Sequence, residues 1–317
     1  MSGLFRSRLA VDLEAFLTFK RSLGYSYRRN EYVLRSFDRY VAAHASRHGS
    51  LALDRLVDGW LCRIEGRRSV TIAADLITIR QFLLFRRRSD PQSFVPSRTL
   101  HHRSMESHFV PYVFSRAEIL AVLRHAQALP GPPLHALSVR VLILMLYCTG
   151  LRPGEAIRLR LADVDLDGRS FLVRQSKGKT RLVPFRADLG RELRRYRAKR
   201  PAGSVGDTFL VQPDGRPYTS MVAWTTLRGI FVRAGLKAPH GRAGPRPYDF
   251  RHAFAVHRLT SWYRAGANLH ARLPWLSTYM WHDNLLGTET YLTATPELLR
   301  LASRRFEDHV RKAGPKR

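Results

Sequence analysis

The chain predicts a mainly α protein of two domains, with one small three-stranded antiparallel sheet set into the second. Three observations predict it. Apolar residues recur at helical spacing through residues 1–98. Residues 99–113 carry three histidines and a proline without periodicity, which marks a linker. Between Val164 and Pro184 the apolar period shortens from helical to alternating, and helices then resume to the end of the chain.

Each element has its own signal. Leu9 to Leu17 and Tyr32 to Val41 hold apolar residues three and four apart. A third helix opens at Ser69, a candidate N-cap, and runs through Leu76, Ile79, Phe82 and Leu83 to Arg86-Arg87-Arg88. Those arginines suit either a backbone phosphate or the negative end of the helix. The second domain spans 114–317. It opens on Ser115-Arg116-Ala117-Glu118, a capping-box pattern. The strongly apolar run from Leu137 to Tyr147 stops at Gly150, and Pro153 suits the first turn of a following helix. Arg152 therefore falls in a tight turn between two helices. Val164-Asp165-Leu166, Ser170-Phe171-Leu172-Val173 and Thr180-Arg181-Leu182-Val183-Pro184 read as strands. Asp167-Gly168 and Ser176-Lys177-Gly178-Lys179 supply the two turns. Helices follow from Leu189 to Lys199, Met221 to Ala234, Arg251 to Ala265 and Glu297 to Val310. The last carries Leu299, Ala302, Phe306 and Val310 on one face.

Composition narrows the class of partner. A net charge of +29 over 317 residues favours a polyanion, by steering it and by releasing its counterions. Nucleic acid comes first and an acidic membrane surface second. No run of 18 apolar residues and no secretory leader is present, which predicts a soluble cytoplasmic protein with no membrane partner. Cys62 and Cys148 lie in apolar stretches and read as buried free thiols. His101, His102 and His108 have no neighbouring thiol and no zinc-type ligand spacing, so a solvated linker is favoured over a metal site. No metal or cofactor is expected. Of the 54 basic side chains only seven are lysines, and Lys177 and Lys179 flank a single glycine. Lysine gives up a proton far more readily than arginine, so this pair offers a proton donor in an arginine-dominated chain.

The chemistry-bearing residues concentrate in the second domain. Arg152, Lys177, Arg251, His282 and Tyr291 together are the groups that phosphoryl transfer without a metal requires. Planar guanidinium forks clamp phosphate oxygens, a lysine or histidine moves protons, and a tyrosine hydroxyl attacks.

At these residues the chain resembles the tyrosine recombinase (phage integrase-like) family over nearly its whole length. Thr149-Gly150-Leu151-Arg152-Pro153-Gly154-Glu155 matches the first arginine box, and Lys177-Gly178-Lys179-Thr180-Arg181-Leu182-Val183-Pro184 the lysine hairpin. Asp249-Phe250-Arg251-His252 matches the second arginine box, and His282 with Tyr291 reproduces the histidine-to-nucleophile interval. Two positions depart from the pattern. Tyr248 stands where the second box usually begins with histidine, and Trp281 where glycine usually precedes the catalytic histidine.

The resemblance implies a core-binding domain at 1–98, a linker at 99–113 and a catalytic domain at 114–317. It implies a site-specific recombinase or integrase acting on double-stranded DNA in the nucleoid. Tyr291 would form a 3′-phosphotyrosine, and Arg152 and Arg251 would stabilise the transition state. Lys177, or alternatively Lys179, would protonate the leaving 5′-oxygen. His282 would hydrogen-bond the phosphate, with Tyr248 in support. Tyr279 is a rival nucleophile that the interval disfavours, and His252 and His257 read as structural or DNA-facing. A monomer or dimer when free, and a tetramer on DNA, is the implied assembly. The competing reading is a catalytically weak or inactive accessory DNA-binding protein of the same fold. The element served, whether phage, transposon or resolvase system, stays open.

Overall fold

The structure, a computed structural model, describes residues 4–44, 52–97, 111–176, 179–281, 286–289, 291–292 and 296–313. They fall into two units, Met1–Phe109 and Val110–Arg317, each with an apolar core of its own. Most of the expected linker, His101, His102 and His108 included, lies outside the described residues.

Among its described residues the first unit holds four helices: α1 (Ala10–Ser22), α2 (Arg28–His44), α3 (Leu53–Cys62) and α4 (Ser69–Arg86). Leu13 and Phe16 of α1, Leu34 and Phe37 of α2, Trp60 of α3 and Phe82 of α4 are all buried in one cluster. Helix α3 was not among the elements read from the sequence. Its pattern is nonetheless regular, with Leu53, Leu56, Val57, Trp60 and Leu61 at steps of three and four. Ser69 proves to be the first helical residue of α4 rather than its cap. Arg68 holds the N-cap position, and no side chain caps it. The three arginines that end α4 are tied down locally. Arg86 Nε donates to Asp12 at 2.8 Å, Arg87 Nε to the Pro91 carbonyl at 3.1 Å, and Arg88 lies over the Phe19 ring.

The second unit opens on α5 (Arg116–Gln127), whose capping box is formed as the pattern predicts. Glu118 N donates to Ser115 Oγ at 3.2 Å, and Ser115 N to Glu118 Oε2 at 2.7 Å. Helix α6 (Pro133–Thr149) is buried on most of its faces, which explains its nearly unbroken apolar sequence. It ends on Gly150 in the left-handed region at φ 64°. Then come α7 (Pro153–Arg158), a 3-10 turn at Leu161–Asp163, and the sheet β1 (Val164–Asp165), β2 (Ser170–Ser176) and β3 (Lys179–Pro184). The strands are antiparallel in the order β1-β2-β3, with Val164 opposite Phe171 and Phe171 opposite Val183. That face is buried, whereas Leu182 points outward and is 66% exposed. The hairpin tip, Lys177 and Gly178, lies outside the described residues.

Five helices complete the unit: α8 (Ala187–Lys199), α9 (Ser220–Arg233), α10 (Asp249–Arg264), α11 (Leu269–Met280) and α13 (Pro296–Ala313), with the single turn α12 (Leu286–Glu289) before the last. Helix α11 was not read from the sequence because Pro274 lies inside it. Its start did carry a signal, since Asn268 Oδ1 accepts from His270 N at 3.0 Å.

Both cysteines correct the sequence reading, because Cys62 and Cys148 are exposed. Cys148 faces out from α6 into a groove beside Arg186 and Phe254. Enclosure by the groove walls still pushes its thiol up to about 11. Among the described residues no helix is long and apolar enough to cross a membrane, and no cluster of histidine, cysteine and carboxylate side chains could hold a metal ion.

Gly150 is fixed by two constraints. Its φ is positive, and a Cβ there would lie 2.5 Å from Phe254 Cδ1. Gly150→Ala is therefore expected to lower stability by about 2–4 kcal/mol, combining left-handed strain with overpacking. Urea unfolding measures it, and a loss below about 0.5 kcal/mol would show that α10 shifts freely to make room.

Candidate active site

The end of α6, the start of α7, β3, the start of α10, the end of α11 and the turn after α12 converge on one polar cluster. Arg152 occupies the N-cap of α7, directly after the Gly150 turn. Its backbone N–H donates to Glu155 Oε2 at 2.9 Å and its Nη1 to Glu155 Oε1 at 2.7 Å. Its Nη2 donates to the Trp281 carbonyl at 3.1 Å. Burial disfavours the Arg152 charge, but Glu155 more than offsets it and holds the guanidinium above its ordinary range.

Glu155 was quoted within the first arginine box but given no role. It is buried, and it also receives Arg181 from β3, Nη1 at 3.1 Å and Nη2 at 2.8 Å. One carboxylate thus fixes two arginines from different elements. Bidentate pairing of this kind sets orientation as well as charge.

Arg251, in the first turn of α10, is 1% exposed. Its Nη1 donates to the Gly150 carbonyl at 2.6 Å, and its Nη2 to the Met280 carbonyl. Its Nε has no hydrogen-bond partner among the described residues. Burial, reinforced by the Arg152 charge, pulls its pKa down to about 10, so it stays cationic at neutral pH. The two catalytic-box arginines therefore grip the backbone at Met280 and Trp281, where α11 ends.

Trp281 adopts φ 59° and ψ 56°, a left-handed conformation. Glycine enters that region without strain, which explains physically why it is usual at this position. Here the Trp281 ring lies 5.8 Å from the Arg181 guanidinium, and its carbonyl is held by Arg152. His282, the next residue, lies outside the described residues, as does Lys177. Lys179 opens β3 opposite Ser176.

Tyr291 is 4% exposed and packs with Phe254, Leu259, Leu276 and Met280. Burial pushes its phenol up to about 12, with the Arg251 charge acting in the opposite sense. Its hydroxyl lies 3.0 Å from His252 Nδ1. His252 was read as structural or DNA-facing, yet the fold places it on the tyrosine hydroxyl. Its position directly after Arg251 was the signal available. His257, by contrast, pairs with the Tyr147 hydroxyl at 2.8 Å.

Tyr279, the rival tyrosine, stacks on Phe254 and donates to the Pro184 carbonyl at 3.0 Å. Tyr248 precedes α10, lies edge-on to His252, and contributes to holding the Arg152 charge. It lines, with Arg152, Glu155, Trp224 and Leu227, a groove of about 450 Å³.

Comparison with known proteins places the chain in a family. Residues 114–297 match the model of the phage integrase family. A putative integrase/recombinase, y4rE, of Sinorhizobium fredii is 32% identical over 314 residues, covering 95% of this chain and 96% of the relative. Tyrosine recombinase XerC of Staphylococcus saprophyticus is 28% identical over 236 residues, 74% of each chain. Among solved structures, XerH recombinase bound to a palindromic difH substrate superposes with TM-score 0.65 at 17% identity, over 88% of this chain and 79% of that one. The Tn1549 transposon integrase with circular intermediate DNA superposes with TM-score 0.62 at 18% identity, over 92% and 98%. The chain belongs to the phage integrase family and is a site-specific tyrosine recombinase, an enzyme that breaks and rejoins DNA strands.

Proposed function

We propose that Tyr291 attacks a phosphodiester of double-stranded DNA, forming a 3′-phosphotyrosine and releasing a 5′-hydroxyl. The observation that carries this reading is a buried phenol beside Arg251, a buried cation whose hydrogen bonds run to carbonyls rather than to a carboxylate. An arriving phosphate supplies a counter-charge to it. Arg152 and Arg251 stabilise the non-bridging oxygens as charge develops. Lys177 protonates the leaving oxygen, with Lys179 as alternate, and His282 donates to the phosphate. Tyr248 supports from the groove wall. Its phenol hydrogen-bonds a phosphate oxygen where a histidine usually stands. A hydroxyl from a second duplex reverses the step. The test is a denaturing gel of the protein mixed with nicked duplexes drawn from the DNA flanking its gene. A covalent protein–DNA band is expected, and its absence on all such duplexes would favour an accessory DNA-binding role.

The cleavage step needs no metal and no nucleotide in this reading, because arginines take the place that metal ions hold in other phosphoryl transfers. Covalent adduct is expected at undiminished rate in excess chelator. A strict magnesium requirement for cleavage would contradict the mechanism.

Residues 1–98 act as a second DNA-contacting domain, joined through the linker at 99–113 to the catalytic domain at 114–317. A chain of net charge +29 acting on chromosomal DNA works in the cytoplasm, on the nucleoid.

Assembly rests on α13. Leu299, Phe306 and Val310 on its apolar side are 50%, 67% and 50% exposed. A neighbouring protomer on DNA covers this face, giving a tetramer from protein that is monomeric or dimeric when free. Truncation after Pro296 is expected to leave a folded protein that binds a single site but loses cooperative binding and recombination. Gel-shift titration on one- and two-site duplexes reads this. Normal recombination by the truncated protein would remove α13 from the assembly.

A further inference from the structure

Tyr291 must lose a proton to attack, and its surroundings make that costly. The hydroxyl is buried, so the phenolate is not present at neutral pH to any useful extent. Lys177 and His282 are assigned to the leaving group and the phosphate, which leaves the nucleophile's proton without a destination. Among the described residues, His252 meets the hydroxyl, with Nδ1 at 3.0 Å. Its other ring nitrogen, Nε2, lies 3.7 Å from Asp249 Oδ1. Asp249 is fully buried and itself fixed by Arg246, whose N donates to Oδ2 at 2.7 Å and whose Nη2 donates to Oδ1 at 2.9 Å. A carboxylate on the Nε2 side favours the tautomer with the proton on Nε2, leaving the Nδ1 lone pair for the phenol.

We propose that His252 is a further catalytic residue: its Nδ1 accepts the Tyr291 phenol proton during strand cleavage, oriented and charge-compensated by Asp249. This rests on Tyr291 being the nucleophile. The bond made is Tyr291 Oη to phosphorus, and the bond broken is phosphorus to the 5′-oxygen. The phenol proton moves to His252, and the leaving oxygen takes its proton from the general acid. In rejoining, the attacking 5′-hydroxyl gives its proton back to the general acid and the imidazolium returns its proton to the departing phenolate, so the enzyme ends as it began.

The electrostatics suit a proton acceptor. Among the described residues the charged and titratable groups facing the ring are Asp249, Arg246 and Arg251, with the Tyr248 and Tyr291 rings beside it. Burial, aided by the two arginines and opposed by Asp249, pushes His252 down to about 4 in the free protein. It is therefore neutral at physiological pH. The approach of a phosphate raises it, which strengthens it as a base when the substrate arrives.

The experiment uses full-length protein and a duplex whose scissile phosphate carries a 5′-bridging sulfur. A thiolate leaves without protonation, so the general acid drops out and the base is read alone. Wild type is expected to cleave at a rate nearly flat between about pH 6 and 9, because its base is already deprotonated. His252→Asn keeps a polar group but cannot take a proton. His252→Ala leaves space for added imidazole. Both are expected to bind DNA normally and to cleave about 10²-fold or more slowly at pH 7. Their log rate should climb with pH at a slope of about one, and imidazole should partly restore the alanine variant.

Rates within about threefold of wild type with an unchanged pH profile would overturn the proposal. So would faster cleavage, which would make the contact a latch. Should both variants fail to fold, the wild-type profile still decides, since a slope of one there leaves no role for a neutral base. If wild type itself leaves no covalent adduct, the Tyr291 assignment fails first and is recognised as that failure.

Discussion

Tyr291→Phe is expected to abolish the covalent adduct, a loss on the order of 10⁴-fold or more in strand cleavage, while DNA affinity stays unchanged. The substitution removes one oxygen and leaves the ring among Phe254, Leu259, Leu276 and Met280. It removes the hydrogen bond to His252, worth about 1 kcal/mol. A fall in activity therefore reports chemistry, not unfolding. Tyr279→Phe is the control. Its hydroxyl donates to the Pro184 carbonyl, so a modest stability cost with adduct formation retained is expected. An adduct that survives Tyr291→Phe and disappears in Tyr279→Phe would reverse the assignment.

Glu155→Ala is expected to have the second largest effect, and on both stability and rate. The carboxylate is buried between Arg152 and Arg181, and four hydrogen bonds from the two side chains and the Arg152 backbone end on it. Removing it strands two cations in a partly desolvated site, at a cost of about 3–5 kcal/mol. It also frees Arg152 from the orientation that Glu155 imposes on it. Urea unfolding and single-turnover cleavage should both deteriorate. Glu155→Gln preserves shape and part of the hydrogen bonding and should fall between. A Glu155→Ala protein with normal stability and rate would mean that the Trp281 carbonyl alone positions Arg152.

Local chemistry made much of this legible in the sequence. The Ser115–Glu118 capping box, the Gly150 stop with Pro153 after it, and the alternation from Phe171 to Val183 each encode their structure within a few residues. Arg152, Arg251 and Tyr291 were named from motif spacing, and the fold brings them into one cluster. Contacts made across long separations were less visible. Arg181 was named only as part of a strand and given no role, yet the fold aims it at Glu155. His252 reads as structural or DNA-facing until the chain after α12 carries Tyr291 back to it. Helix α11 was hidden by Pro274, and the exposure of Cys148 by the apolar stretch around it. In each case tertiary placement, not local propensity, decides.

The central claim, that Tyr291 is the residue joined to DNA, is tested most directly by isolating the covalent complex, digesting both components and sequencing the modified peptide by mass spectrometry. The expected product is the peptide containing Tyr291, bearing a nucleotide through its 3′-phosphate. A nucleotide on Tyr279 or any other residue, or a linkage through a 5′-phosphate, would contradict it.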